Sequence, residues 1–480
     1  MRALAGIAVC LALALPAPAA AQELPSLRMF AGDRNARVSS DDLDVTLDLG
    51  LWVASTHGEF RIRATRPGYG PWQGAQVDAA TGAPLRTLPR SLLDGEHGLP
   101  RFVEIRFFDS RGRLAARRTL GFCPSSSQRV DGDGPAAPTY LLTCGRTFPF
   151  TRGAVWGIDT GWAGAVRGGF ELGEPPLGLR PGRYTVHAAI RPGYRRLFAI
   201  SDGDATARLK VRVVRHRGRR LPRPGLPLFA TAMRPFSAPL AQEPDPATLP
   251  DLVALPPWEV SVRARRGREL LLFASSPWNA GPGPLVVEGF RRSSRDSMRA
   301  VQYFVDAAGE VTGSAPAGSM EYHAARGHEH WHFLQLVTYR ILRPSGGEVV
   351  RSRKQSFCLV ATDAVDLTVP GAQLVPEFLG LASSTCGEQS SIWLRQALPA
   401  GWGDTYGPFL PGQRFDITGV PNGRYILEMR VNPFGQLTER TDANNVARRR
   451  IALRGKPGRR RVRVAPWHGI RDGNNPDLPR

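Results

Sequence analysis

Acidic residues are in short supply. Asp and Glu number 42 against 63 Lys and Arg, for a net charge of +21 over 480 residues. Lysine is also scarce, so the basic excess is mostly arginine spread along the chain. Long amphipathic helices are missing, which argues against a helical nucleic-acid reader, and no nucleic-acid partner is expected. Uninterrupted apolar runs are missing too, apart from the first 21 residues. The longest other run, Leu270 to Val287, contains Pro277, Pro282 and Pro284. It reads as strand, turn, strand, so no transmembrane helix is expected in the mature chain. Hydrophobic residues at 42% and charged residues at 22% exclude global disorder. What is plentiful is Gly 52 and Pro 42, which suits many short strands joined by turns.

Residues 1–21 read as a secretory signal, with Arg2, an apolar stretch from Ala3 to Leu15, and Ala19-Ala20-Ala21 before Gln22. A secreted or envelope-associated protein is therefore expected. Cys10 falls inside the signal, leaving Cys123, Cys144, Cys358 and Cys386. An even count in an exported chain favours disulfides, paired locally as Cys123–Cys144 and Cys358–Cys386. Loops of this size contribute about 3 kcal/mol each in the chain-entropy account.

The cysteines belong to an internal repeat. Gly121-Phe122-Cys123 answers Ser356-Phe357-Cys358, and Thr143-Cys144-Gly145 answers Thr385-Cys386-Gly387. Arg180-Pro181-Gly182-Arg183-Tyr184 answers Pro421-Asn422-Gly423-Arg424-Tyr425, and each copy ends in a basic alternating strand, Leu209 to Val213 and Arg448 to Leu453. Matching motifs in matching order imply two homologous domains. The expected fold is mostly β, with two tandem β-sandwich-like domains, the second carrying a metal site. Its parts are a signal at 1–21, a non-catalytic β domain at 22–215 and a Pro/Arg-rich linker at 216–248. A catalytic domain at 249–454 and a basic tail at 455–480 follow, the tail read as a solvated end whose RVRV pattern offers one strand. Glu259–Arg263, Glu269–Ala274, Leu285–Val287 and Tyr425–Val431 are the clearest short strands.

Gly327-His328-Glu329-His330-Trp331-His332 is the most informative segment. In a strand, alternate residues share one face about 6.6–7 Å apart. His328, His330 and His332 would then present three imidazoles together, a set suited to Cu(II) or Zn(II). On a helix they would fan apart. His323 lies nearby as a fourth ligand, a base or an ordinary loop histidine.

From Leu249 to Ile451 the chain resembles the lysyl oxidase family. The resemblance rests on the H-x-H-x-H segment and on Arg353-Lys354-Gln355-Ser356-Phe357-Cys358-Leu359. It extends through Gly403-Asp404-Thr405-Tyr406-Gly407, Gln413 to Thr418, Val431-Asn432-Pro433 and Asn444-Asn445-Val446. It implies a copper amine oxidase whose lysyl tyrosylquinone is built from a lysine and a tyrosine of its own chain. The copper ligands fall on His328, His330 and His332, the cofactor lysine on Lys354 and the cofactor tyrosine on Tyr406. Such an enzyme takes a primary amine, peptidyl lysine or a small amine, and O2, and releases an aldehyde, H2O2 and ammonia. Candidate bases are His323, Asp404 and Asp416, with turn capping and arginine pairing as ordinary roles for the two aspartates. In the first copy Thr119 stands opposite Lys354 and Gly161 opposite Tyr406, and the stretch before Arg106, Gly95 to Phe102, holds one histidine, His97, and no triplet. That copy keeps the cysteines and lacks the chemistry.

Net positive charge repels a cationic amine at long range. Either Glu321, Glu329 or Asp404 makes the mouth locally acidic, or the basic surface tethers the protein to an anionic envelope polymer. Asp202-Gly203-Asp204 and Asp442-Ala443-Asn444-Asn445 are Ca2+-capable turns, although ordinary turns use the same residues. The alternative to an oxidase is a catalytically inactive copper-binding or envelope-binding β-sandwich protein.

Overall fold

A computed structural model describes residues 23–474, except 41–42, 44–46, 141–143, 145–147, 169–174, 216–233, 241–242, 293–296, 325–328, 353–355 and 375–385. The signal at 1–21, the first part of the linker, His328 and Lys354 therefore lie outside the described residues. The fold is mostly β. Strands dominate, and Pro192–Phe198 is a short α-helix. Among the described residues no helix is long and apolar enough to cross a membrane, and the run from Leu270 to Val287 divides among the strands Arg268–Ala274, Pro277–Asn279 and Leu285–Phe290.

Two five-stranded sheets share one plan. The N-terminal arginine sheet runs Asn35–Ser39, Thr206–Val214, Gly182–Ile190, Leu99–Phe108, Leu114–Phe122. The C-terminal arginine sheet runs Arg461–Val464, Val446–Arg454, Gly423–Val431, Val337–Leu342, Glu348–Arg351. Their strands alternate because one face is buried. In Thr206–Val214, Leu209, Val211 and Val213 face the core while Arg208, Lys210 and Arg212 are exposed. The two outer edges differ. Asn35–Ser39 adds parallel to its neighbour, whereas Arg461–Val464 adds antiparallel.

That second edge corrects the expectation of a solvated tail. Arg460 is buried and ion-paired with Glu269, Asp472 is buried against Arg449, and Ile470 is 2% exposed. A buried guanidinium needs a carboxylate partner, and the tail brings both kinds of group inside. Part of the linker is docked as well. Phe236 donates its backbone N–H to the Glu288 carboxylate, and Ser314 donates to Pro239 O at 2.9 Å.

One core gathers residues from Leu27 to Val213, and a second gathers residues from Leu252 to Val464. Tyr140 and Val155 cross into the second core, and Phe148 and Phe150 pack with Leu255, Trp278, Val365 and Ile470. Backbone bonds also link the halves: Arg152 N–H to Val365 O at 2.6 Å and Leu367 N–H to Gly153 O at 3.0 Å. Both disulfides join the expected pairs, Cys123–Cys144 and Cys358–Cys386.

Candidate active site

The histidine strand is His330–Phe333, and it pairs antiparallel with the end of Val311–His323. The register sets His323 against His330, Tyr322 against Trp331 and Glu321 against His332. The pleat sends Trp331 and Phe333 into the core at 0% exposure. His330 and His332 therefore share the other face with Glu321 and His323. Their Nε2 atoms stand 2.8 Å apart, and the His323 ring stacks on His332 at 5.4 Å. His332 is 5% exposed, and its Nδ1 lies 3.3 Å from Ser356 Oγ.

The free edge of this strand is held by two further segments. Trp331 N–H donates to Cys386 O at 2.7 Å, and its indole N–H donates to Glu388 O at 2.8 Å. Phe333 and Phe357 exchange backbone bonds of 2.7 and 3.0 Å. The Cys358–Cys386 disulfide joins these two flanking segments. It thus clamps the strand from the side opposite the hairpin.

Phe357 also leads to Tyr406. The two rings meet edge to face at 4.6 Å, and Tyr406 Oη donates to Cys358 O at 2.7 Å. Tyr406 is fixed from behind by paired backbone bonds with Ser275, 2.9 and 3.0 Å. Ser275 Oγ in turn lies 2.6 Å from the hydroxyl of the fully buried Tyr339, which also accepts from Gln413 Nε2 at 3.3 Å. Asp404 is 2% exposed, with its backbone N–H bonded to Pro277 O at 2.9 Å. Burial first, and then the neighbouring Asp404, hold the Tyr406 phenol well above the ordinary tyrosine range. Burial likewise raises Tyr339, against the bonds from Gln413 and Ser275. Near neutral pH both groups are neutral phenols.

The structure thus groups His323, His330 and His332 on one side and Tyr406 with Asp404 on the other, with the segment Ser356 to Cys358 touching both groups. Lys354 and His328 lie outside the described residues. Among the described residues no group of three His, Cys, Asp or Glu side chains closes into a metal site. Asp416 is an exposed turn cap. It accepts from Thr418 Oγ1 at 2.6 Å and sits 3.9 Å from Arg268, contacts that lower its pKa, the Thr418 bonds most. Ser356, Ser275, Tyr339 and the Cys358 carbonyl escaped sequence reasoning. Only long-range contacts single them out.

The Ca2+-capable turns also separate. Asp202 is paired with Arg195, and Asp204 accepts from Ser201 Oγ at 2.7 Å. The Asp442 turn sits beside two carboxylates: Asn444 Nδ2 bonds Asp251 at 2.8 Å and Asn445 Nδ2 bonds Glu439 at 2.8 Å. Burial, and then the Asp251 charge, raise Glu439 even though Asn432 and Asn445 donate to it. The side-chain oxygens of Asn444 and Asn445 are buried with no hydrogen-bond partner among the described residues.

Residues 305–462 match the family model described as lysyl oxidase. Lysyl oxidase homolog 2 of Gallus gallus is 27% identical over 151 residues, 31% of this chain and 17% of that protein. Lysyl oxidase homolog 4 of Mus musculus is 32% identical over 130 residues, 27% of this chain and 15% of that protein. Lysyl oxidase homolog 1 of Homo sapiens is 30% identical over 143 residues, 29% of this chain and 22% of that protein. The aligned part spans less than a quarter of the length of each of these relatives. The matched segment contains the histidine strand, Ser356, Phe357, Asp404 and Tyr406, so the likeness of this chain to the lysyl oxidase family falls on its C-terminal region.

Proposed function

We propose that the chain is an exported copper amine oxidase, acting through a lysyl tyrosylquinone made from Lys354 and Tyr406. The balanced reaction is primary amine, O2 and water to aldehyde, ammonia and H2O2. One observation carries the reading: the paired imidazoles of His330 and His332 and the anchored Tyr406 phenol flank the same short segment, Ser356 to Cys358. The donor set fits copper. Neutral imidazoles suit Cu(II), and 2.8 Å between Nε2 atoms is close to the separation of two donors each about 2 Å from one ion. His328, His330 and His332 would hold it, with His323 alongside. When present, copper with O2 supplies the oxidising power for quinone formation, and the quinone supplies the carbonyl that takes the amine.

The chain's own residues do the rest. Ser356 engages His332 Nδ1, which leaves Nε2 directed at the site. Phe357 and the Cys358 carbonyl fix the Tyr406 ring and its hydroxyl rotor. Asp404 stands beside that hydroxyl as the acceptor for its proton and, in turnover, for the substrate α-proton. Lys354 is four residues before Cys358 in sequence, a contour of at most about 14 Å. It is one of only three lysines in the chain. Arginine could not replace it, because a guanidinium does not give up its proton to become a nucleophile. Exposed Glu321 and Glu329 give the mouth local negative charge for a cationic amine. The buried oxygens around Glu439, Asp251, Asn444 and Asn445 suit Ca2+, a hard cation.

Peptide mapping of copper-loaded full-length protein tests the reading. A covalent Lys354–Tyr406 peptide and a phenylhydrazine adduct are expected, with amine-dependent H2O2 release lost in Lys354→Ala and Tyr406→Phe. Copper binding with neither cross-link nor adduct would establish the inactive copper-binding alternative.

A further inference from the structure

The two arginine sheets carry the same row of side chains with one residue exchanged. Tyr184 and Tyr425 align their central strands, since each phenol donates to the carbonyl four residues back, Arg180 O at 2.7 Å and Pro421 O at 2.8 Å. His187 and Glu428 then occupy one position. Across the C-terminal sheet the register reads Arg351, Arg340, Glu428, Arg448. Across the N-terminal sheet it reads Arg117, Arg106, His187, Arg208.

The exchange changes the electrostatics of the face. Glu428 is 1% exposed, and its carboxylate accepts from Arg340 Nε at 3.0 Å and Arg448 Nε at 2.8 Å. At the matching point His187 supplies no negative charge. It lies between Arg106 and Arg208, with its ring 5.0 Å from Phe108. A second row follows on the same face, where Arg37, Arg212 and Arg183 are direct cross-strand neighbours. Lys210 sits between the rows and lines a shallow groove of about 290 Å³ with Arg183 and Arg212. Two acids share this face and both are engaged: Glu104 with Arg106, and Asp109, which lines the same groove, with Arg113. Like charges directly opposite one another destabilise a sheet. At the exchanged position this face therefore lacks the carboxylate that its twin builds in: Arg106 has Glu104 at its side, and the point between Arg106 and Arg208 holds only the His187 imidazole.

We infer that the outer face of the N-terminal arginine sheet binds a carboxylate-bearing acidic polysaccharide, one carboxylate seating between Arg106 and Arg208 where the twin sheet supplies Glu428. Three observations select this partner. The position is filled by a carboxylate in the twin. The ladder Arg208, Lys210, Arg212 repeats a cation every ~6.8 Å along one strand, which suits a linear polymer over a lone anion. The two disulfides belong to an oxidising compartment, where nucleic acid is not the usual polyanion. The inference uses none of the copper-site residues and stands independently of the catalytic reading.

Polygalacturonate binding to full-length protein tests it, read by calorimetry with neutral dextran as the blank. Saturable binding that weakens with salt is expected. His187→Glu, which restores the twin's acid, should weaken binding about tenfold and raise the melting temperature by about 2–4 °C. Arg263→Glu, on an exposed strand of the other half, should leave binding unchanged. The inference is overturned by no binding at low salt, by unchanged affinity in His187→Glu, or by an equal loss in Arg263→Glu. Tighter binding of duplex DNA of matched charge would overturn the choice of partner.

Discussion

Removal from water raises the Tyr406 phenol, and the Asp404 carboxylate raises it further, because a negative neighbour disfavours phenolate. Asp404→Asn should therefore lower the Tyr406 pKa toward the ordinary 10.0. Ultraviolet difference titration against Tyr406→Phe reads the shift, and an unchanged value would show that the carboxylate does not act on the phenol. The same group links stability to pH. Below pH 10 the phenol is protonated whether the chain is folded or not. As pH rises past that point the unfolded chain ionises first, so stability falls. In Asp404→Asn the alkaline fall should begin at the same pH and end sooner, with a smaller total loss, as measured by denaturation midpoints. Asp404 and Tyr406 were legible as adjacent members of one motif. The anchor of the Tyr406 hydroxyl was not, because a backbone carbonyl such as that of Cys358 leaves no mark in composition or spacing.

At the scale of elements, the histidine strand was legible from its alternation, and its pairing was not. Four residues cannot hold a site unaided. His330–Phe333 has Val311–His323 on one edge and the segments at Cys386 and Phe357 on the other. The Cys358–Cys386 disulfide closes a separation of 28 residues and joins those outer segments. Cys358→Ser with Cys386→Ser should cost about 3 kcal/mol and weaken copper binding, read by thermal melting and metal titration. If stability falls while copper affinity holds, the clamp serves the fold and not the site. Trp331, unremarkable as a letter between two histidines, is the buried peg that sets both imidazoles on the opposite face of the strand. The arginine strands make the complementary point. Their alternation marked them as β, but the exchange of Glu428 for His187 emerges only once register aligns the two sheets.

Over the whole molecule, the repeat was visible as matched Phe-Cys, Thr-Cys and Gly-Arg-Tyr motifs, and the closeness of the halves was not. Gly153 forms a parallel bridge with Asp366, and an ideal Cβ there would collide with Asp366 Oδ1. Gly153→Ala should destabilise by about 1–3 kcal/mol. Calorimetry should show one transition for the parent protein and separate melting of the halves for Gly153→Ala, and a single transition in both would show that this bridge does not couple them. Ca2+ should raise the melting temperature and chelation lower it, with the response lost in Glu439→Gln. A flat response in the parent protein would leave the Glu439 cluster as a purely internal network.

Sequence by itself determined what local chemistry dictates: β-strands from alternation, turns from Gly and Pro, disulfide partners from an even count paired locally, and the candidate imidazoles, lysine and phenol from motif. Tertiary structure decided what depends on residues far apart in the chain. It set two imidazole nitrogens in contact, tied a phenol to the carbonyl after the Phe-Cys step, drew the tail into a sheet and showed which arginines have an acid between them. Periodicity reports which way a side chain faces within its own strand. Its neighbours across a sheet or beneath a loop are chosen by packing and hydrogen-bond satisfaction over the whole fold.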